Sequence, residues 1–249
     1  MKKYFRAFMM SMTMFCTIPI PFHMWDEESR PLMTLFLPFV GTVIGALWTL
    51  AAYVLRLLGI PVILRAALLC AYPIVITGGM HMDGFLDVTD AVRSWRDVEE
   101  RKRILKDPHV GSFAVIDTVL LVMTQFAAFC CLKDTENILA LILIPTISRC
   151  VAAFCVTALR PLSTSEYSGD YRKRIKKSHL VFLVIVTAIA GVLGFVFLGK
   201  YGYTAVAVAA GYLLYMFRGY RSLGGMSGDI SGYALTFGEL CGIIAFILI

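Results

Sequence analysis

"LFLPFVGTVIGALWTLAAYVLRLL" (residues 35–58) is an apolar run that contains a single charged residue, Arg56, near its end. A helix of about 20 such residues is long enough to cross the hydrocarbon core of a membrane. The chain contains further runs of this kind, at 62–79, 111–132, 138–159, 180–198 and 201–219, and a shorter one at 234–249. The sequence therefore predicts an all-α, polytopic transmembrane helical bundle with six to seven spans.

The composition supports this prediction. Of the 249 residues, 59% are hydrophobic and only 16% are charged, which excludes an ordinary soluble domain. The net charge of +6 could suggest nucleic acid, but in a membrane protein basic residues collect on loops on one side, and we predict no nucleic-acid partner. The seven cysteines lie almost wholly in apolar runs and form no CxxC pair, so we expect neither disulfides nor zinc. Without internal repeats or linkers, residues 1–249 form one integral-membrane domain.

The first 30 residues are predicted to be a membrane-associated segment. Lys2, Lys3 and Arg6 precede an apolar stretch that lacks a small-x-small cleavage site and ends at two prolines. A cleaved signal peptide would carry such a site, so we expect the segment to be retained. Residues 4–20 then form either an extra short span or an interfacial helix.

The connections between the predicted spans alternate in character. Those after the first, third and fifth spans are short and weakly charged, whereas those after the second, fourth and sixth are polar: 80–110, 160–179 and 219–233. The second polar loop contains the basic cluster "YRKRIKK" (171–177). Because basic loops remain in the cytoplasm, the sequence predicts a multi-pass protein of the cytoplasmic membrane with all three polar loops on the cytoplasmic face. There they can build one site.

The first polar loop begins with a stretch rich in carboxylates, "GGMHMDGFLDVTDAV" (78–92). Asp83, Asp87 and Asp90 have the spacing i, i+4 and i+7, which places them on one face if the segment is helical. Like charges on one face repel, and charge beside a span is costly, so a divalent cation is the favoured partner. Carboxylates with water and phosphate form the usual Mg²⁺ shell, and Mn²⁺ accepts the same ligands. The alternative is a solvated acidic face of a cytoplasmic helix, with Arg93 and Arg96 as partners.

The same loop ends with "LKDPHVGSF" (105–113). Asp107, which precedes a proline, could simply start a helix. Lys106 and His109 add a cation and a proton acceptor beside it, and both suit a substrate that carries phosphate. The residues leave both interpretations open.

The third polar loop, within "RGYRSLGGMSGDISGYALTFGEL" (218–240), has glycines before an aspartate. These residues are Gly224, Gly225, Gly228 and Asp229. A glycine-rich loop at a helix start can bind phosphate through backbone N–H groups, but no GxxxxGK[ST] pattern is present. Asp229 is either a fourth functional carboxylate or a helix cap. Glu239, within the last apolar run, could pair with an intramembrane arginine such as Arg149.

Three motifs in this order resemble the cobalamin synthase family, the adenosylcobinamide-GDP ribazoletransferases. They are "TGGMHMDGFLDVTDAV" (77–92), "RILKDPHVGSFAVI" (103–116) and "LGGMSGDISGYALTFGEL" (223–240). "FCTIPIP" (15–21), "LFLPFVGTVIGAL" (35–47) and "ISRCVAAF" (147–154) also fit, so the resemblance covers nearly the whole chain. The chain departs from the family pattern at Ala91, where glycine is usual, and at His109, where arginine is common.

The resemblance implies a Mg²⁺-dependent transferase acting late in cobalamin biosynthesis. Such an enzyme joins adenosylcobinamide-GDP with α-ribazole or its 5′-phosphate, forms adenosylcobalamin or its 5′-phosphate, and releases GMP. An oligomer is compatible with the resemblance. The roles that it implies are as follows: metal binding by Asp83, Asp87, Asp90 and Asp229; phosphate or substrate binding by Arg93, Lys106, Gly224, Gly225 and Gly228; and general base catalysis by Asp107 or His109.

Three other classes of membrane protein are alternatives to this interpretation. Polyprenyl transferases also carry paired acidic motifs, but these are tight DDxxD-type clusters, which the sequence lacks. The CDP-alcohol phosphotransferases carry DGxxAR, whereas here Asp83 and Gly84 are followed by "FLDVTD". A transporter or cation channel could use acidic residues to coordinate its ion, and its helices should carry polar groups near their midpoints. Most spans here have few such groups apart from Arg149 and Glu239, which favours an enzyme with its site at one membrane face.

Overall fold

The computed structural model describes residues 2–20, 25–134, 136–163, 165 and 174–249. Within these residues the regular structure is helical and no strand forms, so the predicted all-α class is confirmed. Parts of the predicted loop 160–179 and of its basic cluster 171–177 lie outside the described residues, as does the end of the "FCTIPIP" motif.

The bounds of the helices follow the predicted apolar runs closely. They are α1 (Lys2–Phe15), α2 (Met33–Leu57), α3 (Val62–Ile76), α4 (Met80–Arg93), α5 (Val98–Ile104), α6 (Ser112–Cys130), α7 (Ala140–Ala158), α8 (Lys177–Leu198), α9 (Tyr203–Leu223) and α10 (Gly228–Leu248). The clearest difference is at α10, which has 21 residues and begins before the predicted run 234–249. Its polar first turns are helical because they are capped and pack against α4.

Five helical segments are long and apolar enough to cross a membrane, or six if the bent pair α3 and α4 forms one span. One of the five, Lys177–Leu223, has 47 residues, about twice the length that one crossing needs. It is interrupted by a short 3₁₀ turn, Gly199–Gly202, which separates α8 from α9. A multi-pass membrane protein is therefore confirmed.

The chain reverses direction at this 3₁₀ turn. Gly194, near the end of α8, lies against Leu143 at the start of α7, so these two helices are antiparallel. Val208, near the start of α9, and Ile144, near the start of α7, both lie next to Gly242 of the last helix. Helix α9 is thus parallel to α7 and antiparallel to α8, and the long segment supplies two separate spans, as the sequence predicts.

Helix α7 is at the centre of the bundle. The apolar window of α7 is 89% buried, whereas that of the segment 177–223 is only 11% buried. Because lipid is as apolar as the core, a helix with exposed apolar side chains is stable at the bundle surface. The polar side chains on α7 therefore face protein, and the outer face of α8 is suited to lipid.

Helix α4 does not continue the path of α3. The two axes differ by 87°, and the break between them contains Gly78 and Gly79, both with positive φ. Helix α4 also carries three aspartates and an arginine, which an apolar span would not tolerate. It therefore lies across the end of the bundle, outside the spanning segments.

The polar connections meet at this same end of the bundle. Leu162 N–H donates to Met226 O and Met226 N–H donates to Arg160 O, both at 2.8 Å, which joins the second polar loop to the third. The Arg101 guanidinium donates to Ser222 O at 3.3 Å and joins the first loop to the third. The predicted gathering of the three loops is thus present, and we refer to this region as the polar end.

Helix α1 covers part of the polar end. It has 14 residues and is too short to cross the membrane, so the interfacial alternative for residues 4–20 is the one that fits. Ser11 of α1 donates to Met33 O of α2 at 2.8 Å, and Thr17 N–H donates to Ile76 O at the end of α3 at 2.8 Å. These bonds fix α1 against the entrance to the bundle.

Candidate active site

The segment that carries the three predicted metal-binding aspartates is helical. Within α4, Asp83 is exposed and both Asp87 and Asp90 are partly buried, while Phe85 and Val88 pack into the core. The apolar side chains between the carboxylates explain why the segment docks on the bundle and does not project into solvent. The carboxylates are thereby held at the surface of the polar end.

Asp229 joins these aspartates because α4 and α10 cross in very close contact. A Cβ built on Gly84 would lie 2.8 Å from Asp229 O and 3.1 Å from Asp229 Cα. Only glycine at this position allows the two backbones to approach so closely. The crossing brings residues about 145 positions apart in sequence into one acidic cluster, which we define as Asp83, Asp87, Asp90 and Asp229.

The cap of α10 is Ser227 and not Asp229. The Ile230 N–H donates to Ser227 Oγ at 3.2 Å, and the Ser227 hydroxyl donates to Asp229 Oδ2 at 3.3 Å. Serine is a favoured N-cap residue because its oxygen accepts from an N–H that has no partner within the helix. The alternative role of Asp229 as the helix cap is therefore wrong.

The acidic cluster affects the pKa of Asp87, one of its two partly buried members. Burial, followed by the charges of Asp83, Asp229 and Asp90, raises the pKa of Asp87 from 3.8 to about 6. No lysine or arginine among the described residues forms an ion pair with Asp83, Asp87 or Asp90. The alternative of an acidic face neutralised by Arg93 does not match this arrangement.

Arg93 is engaged elsewhere. Its guanidinium pairs with Asp117 of α6 and lies over the Phe113 ring, 5.4 Å from the ring centroid. This contact ties the end of α4 to the start of α6. The structure therefore places Arg93 beside the cluster but with its guanidinium directed to α6.

The acidic cluster fits a metal that takes part of its shell from the substrate. Among the described residues, no group of three or more His, Cys, Asp or Glu side chains could hold a metal ion by itself. Mg²⁺ is commonly held by one or two carboxylates, with waters and substrate phosphates completing six oxygen ligands. Crowded, partly exposed carboxylates, among them Asp87 with its raised pKa, suit that mode of binding.

The second predicted group, Lys106, Asp107 and His109, flanks the cluster on an exposed turn after α5. Asp107 Oδ1 accepts from His109 N–H at 2.9 Å and lies 2.7 Å from His109 Nδ1. The hydrogen bond from the His109 backbone is the main cause that lowers the pKa of Asp107. Gly111, at the N-cap of α6, touches the carboxylate of Asp90, so this turn adjoins the acidic face.

The predicted glycines build a tight connection between α9 and α10. Gly224 ends α9 in a left-handed conformation, with φ of +78°. A Cβ on Gly225 would lie 2.7 Å from Leu162 N, so this glycine admits the second polar loop. Gly228 is exposed at the first position of α10, where backbone N–H groups point out of the helix.

A cavity of about 390 Å³ opens beside the acidic cluster. Asp83 and Asp229 line it together with His81, which precedes Asp83 by two positions. Apolar walls come from α1, α2, α7 and α10, and include Phe15, Leu37, Val156 and Leu235. The cavity thus combines a carboxylate side with an apolar side.

One member of a buried ion pair also lines the cavity. Arg149 of α7 lines the cavity and pairs with Glu239 of α10, which confirms the pairing considered for Glu239. Ser148 donates to Glu239 Oε1 at 2.9 Å, and Arg149 Nη2 lies 3.4 Å from His81 Nδ1. Burial and the Arg149 charge lower the pKa of His81, so its ring is neutral and can accept from the guanidinium.

Neither His81 nor Arg149 was among the predicted site residues. The available signal was that an ionisable residue inside an apolar span is a functional candidate by default. His81 carried no signal of its own, because a single histidine near a span boundary is usually structural. Its place in the cavity follows from the packing of α4 on α10, where Thr236 Oγ1 donates to His81 O at 3.1 Å.

Comparisons with known proteins agree with the resemblance in the motifs. A family model described as cobalamin-5-phosphate synthase matches residues 7–247. An adenosylcobinamide-GDP ribazoletransferase of Clostridium perfringens is 35% identical over 247 residues, which cover 98% of this chain and 98% of that protein. The protein of the same name from Lachnoclostridium phytofermentans is 28% identical, with 99% and 95% of the two chains covered. One from Pseudomonas fluorescens is 31% identical over 89% of this chain and 90% of its own.

No solved structure matches the chain significantly. The family assignment therefore rests on the sequence, while the arrangement of the site rests on the fold described above. The family match covers nearly every residue of the chain, including all three polar loops and the helices between them. The chain belongs to the cobalamin-5-phosphate synthase family.

Proposed function

We propose that the chain catalyses the reaction for which its relatives are named, the transfer that joins adenosylcobinamide-GDP to α-ribazole or α-ribazole 5′-phosphate. A ribose hydroxyl of the acceptor attacks the phosphorus on the cobinamide side of the phosphoanhydride. The anhydride bond breaks, GMP leaves with the bonding electrons, and the hydroxyl proton passes to a base. The product is adenosylcobalamin or its 5′-phosphate.

The observation that carries this proposal is the acidic cluster at the mouth of a cavity. Asp83 and Asp229 line the cavity, and Asp87 has a pKa raised by burial and by its acidic neighbours. Asp83, Asp87, Asp90 and Asp229 would hold Mg²⁺, or Mn²⁺ in its place. When bound there, the cation would neutralise negative charge on the diphosphate, which is the main requirement of phosphoryl transfer.

His109 is the residue of the exposed turn that best suits a proton acceptor. Its Nδ1 lies 2.7 Å from the Asp107 carboxylate, which orients the ring and leaves the other ring nitrogen directed away. A base oriented by a carboxylate is a recurrent arrangement in acid–base catalysis. We assign the base to His109 and its orientation to Asp107.

Phosphate groups would be bound by Lys106 and by the start of α10. Lys106 is exposed on the turn that flanks the acidic face. Gly228 and the residues after it present N–H groups at a helix N-terminus, which favours an anion. Gly224 and Gly225 contribute by shaping this connection, while Arg93 acts mainly through Asp117 in holding α4 against α6.

We place the protein in the cytoplasmic membrane with its polar end facing the cytoplasm. The support is the distribution of basic residues, since Lys2, Lys3 and Arg6 lie on the same end as the three polar loops. Both substrates are polar, so a site at this end is open to them without passage through lipid. The partners are thus two small molecules and the bilayer, and the oligomeric state is a separate question.

The test is GMP release by the chain purified in detergent. Adenosylcobinamide-GDP and α-ribazole or its phosphate are supplied with Mg²⁺, and the reaction is repeated with EDTA. We expect metal-dependent GMP release with a cobalamin product, and loss of at least 100-fold in kcat for Asp83→Asn and Asp229→Asn. Glu99→Gln is the matched control, because the Glu99 carboxylate is 82% exposed and, among the described residues, pairs only with Lys102.

The same assay distinguishes the enzyme from the transporter or channel alternative. A folded protein that releases no GMP with either acceptor would contradict the proposal and direct attention to ion flux. The buried pair of Arg149 and Glu239 weakens that alternative, because the two charges neutralise each other. An active Asp83→Asn variant would remove this carboxylate from the metal site.

A further inference from the structure

A second opening in the surface lies at the polar end, between the start of α1, the turn that leads into α2 and the start of α8. Its volume is about 530 Å³, and it shares no lining residue with the cavity beside the acidic cluster. Among the described residues, four basic side chains line it: Lys3, Arg174, Lys176 and His179. We refer to this opening as the basic groove.

The acidic residues near the basic groove are already paired with other basic residues. Three of them precede the turn that leads into α2, and each has its own partner: Asp26 with Arg6 at 3.8 Å, Glu27 with Arg30 at 3.6 Å, and Glu28 with Lys3 at 3.3 Å. Glu28 also lines the groove, so its charge and that of Lys3 offset each other there. These acids therefore do not neutralise the other cations of the groove.

Arg174 and Lys176 supply the net positive charge of the basic groove. Among the described residues, no carboxylate forms an ion pair with either side chain. Arg174 Nη1 donates to Glu27 O at 3.2 Å, and this backbone carbonyl orients the guanidinium without cancelling its charge. An anion is the ligand that two such cations favour.

The donors of the groove match the oxygens of a phosphate group. The Lys176 backbone N–H donates to His179 Nδ1 at 3.5 Å, so Nε2 of this ring carries the hydrogen and is a donor. Arg174 adds a planar fork of N–H groups, and Lys176 adds an ammonium with three donors. Phosphate is the anion that such a combination of fork and point charge commonly binds.

The surroundings of the groove indicate a phosphate that belongs to a lipid. Helix α8 begins at Lys177, and its exposed apolar side chains begin one turn later with Val181 and Phe182. Tyr4 and Phe5, at the start of α1, are also exposed, and Tyr4 lines the groove. Apolar side chains directly beside cations at the end of a span are typical of the headgroup level of a membrane. They provide a surface for acyl chains, which a soluble phosphate does not have.

We propose that the basic groove binds the phosphate of an anionic phospholipid and that this lipid joins α1 to the start of α8. Basic pockets at the cytoplasmic side of membrane helices bind anionic headgroups by the same chemistry. Helix α1 also lines the cavity beside the acidic cluster, through Met14 and Phe15, so the lipid steadies a helix that covers that cavity. The inference goes beyond the proposed transfer reaction and does not depend on it.

The experiment measures lipid binding by the full chain purified in a neutral detergent. The probes are phosphatidylglycerol, phosphatidylcholine with the same acyl chains, and glycerol 3-phosphate as a soluble phosphate. Bound lipid is counted by native mass spectrometry, and the apparent affinity is taken from the rise in unfolding temperature along a titration. We expect one retained phosphatidylglycerol, an apparent affinity for phosphatidylcholine at least 10-fold weaker, and no rise in unfolding temperature with glycerol 3-phosphate at the same concentration.

The variants separate a built site from general attraction between charges. Each basic residue contributes roughly 5-fold to the binding of anionic lipid, so Arg174→Gln combined with Lys176→Gln should weaken phosphatidylglycerol binding by about 10-fold or more. Lys102→Gln combined with Arg103→Gln is the matched control. It removes the same charge from the polar end, but these residues pair with Glu99 and Glu100 on α5 and do not line the groove. The control should bind phosphatidylglycerol within 2-fold of the wild type.

Three results would overturn the inference. They are equal affinity for phosphatidylglycerol and phosphatidylcholine, equal weakening in the control and the groove variant, and binding of glycerol 3-phosphate as tight as that of the lipid. The last result would assign the groove to a soluble phosphate. If the double variant does not fold, Lys176→Gln alone carries the test, because the Lys176 side chain is exposed, and unchanged binding in that variant would also contradict the proposal.

Discussion

Gly84→Ala tests whether the close crossing of α4 and α10 assembles the acidic cluster. The added Cβ would lie 2.8 Å from Asp229 O, whereas ordinary contacts of a Cβ begin at 3.4 Å. The contacted atoms are backbone, so no side chain can turn aside. The two helices would have to separate locally by about 0.6 Å, the difference between these two distances, which moves Asp229 away from Asp83 and Asp87.

The energetic effect is a difference between two opposing contributions. Overpacking a tight contact costs about 1–3 kcal/mol, and replacing a helical glycine by alanine contributes about 1 kcal/mol in favour of folding. Gly191→Ala in α8 provides the second contribution alone, because a Cβ there meets nothing within 4 Å. The difference between the two variants, about 1–3 kcal/mol, therefore isolates the clash.

The measurements are the thermal unfolding temperature in detergent and kcat for GMP release. We expect Gly84→Ala to unfold at a lower temperature than Gly191→Ala and to lose at least 10-fold in kcat, because small misplacements of catalytic groups are costly. Gly191→Ala should retain the activity of the wild type. Equal stability and full activity in both variants would refute the claim that this crossing positions the carboxylates.

Three further predictions concern single side chains. Burial and its acidic neighbours raise the pKa of Asp87 from 3.8 to about 6, so the folded state retains a proton that the unfolded state loses between these two values. Without divalent cations the unfolding temperature should therefore fall as pH rises from about 4 to about 6, and Asp87→Asn should flatten this part of the curve; a steeper curve in the variant would contradict the assigned sign. Ser227→Ala removes the cap of α10 and should lower the free energy of unfolding by about 1 kcal/mol, while Ser227→Thr should retain most of it in the same denaturation experiment. Lys106→Gln should raise the donor KM several-fold, more so at low salt, with no shift in unfolding temperature because Lys106 is exposed; an unchanged KM would exclude it from phosphate binding.

Several elements of the site were accessible from the sequence because their signals are local. The spacing of Asp83, Asp87 and Asp90 predicts one helix face as soon as the segment is taken as helical, and α4 is a helix over that range. The apolar runs predict the spans to within a few residues, except that α10 begins at Gly228. That start was missed because Ser227 and the contact with α4 stabilise polar turns that no apolar pattern marks.

Other features depended on pairings between helices. Arg93 pairs with Asp117 of α6 and not with the aspartates of its own helix. Ser227, and not Asp229, caps α10. Sequence spacing cannot separate these alternatives, because each requires knowing which helices are neighbours and how they are rotated. In a membrane, apolar surface faces lipid and protein alike, so hydrophobic pattern gives little information about neighbours.

The sequence by itself determined the membrane-spanning class, the single polar end and the family, since length, apolar content and motif order are properties of the linear chain. Only the tertiary structure decided that His81 and Arg149 line one cavity with Asp83, and that Glu239 holds the guanidinium in place. Arg149 and Glu239 are 90 positions apart. They meet because α7 packs against α10, where Gly242 of α10 lies against Ile144 of α7. Which helices become neighbours depends on how their surfaces fit together, and the periodicity of one helix does not determine this. The contacts between helices could therefore be known only from the tertiary structure.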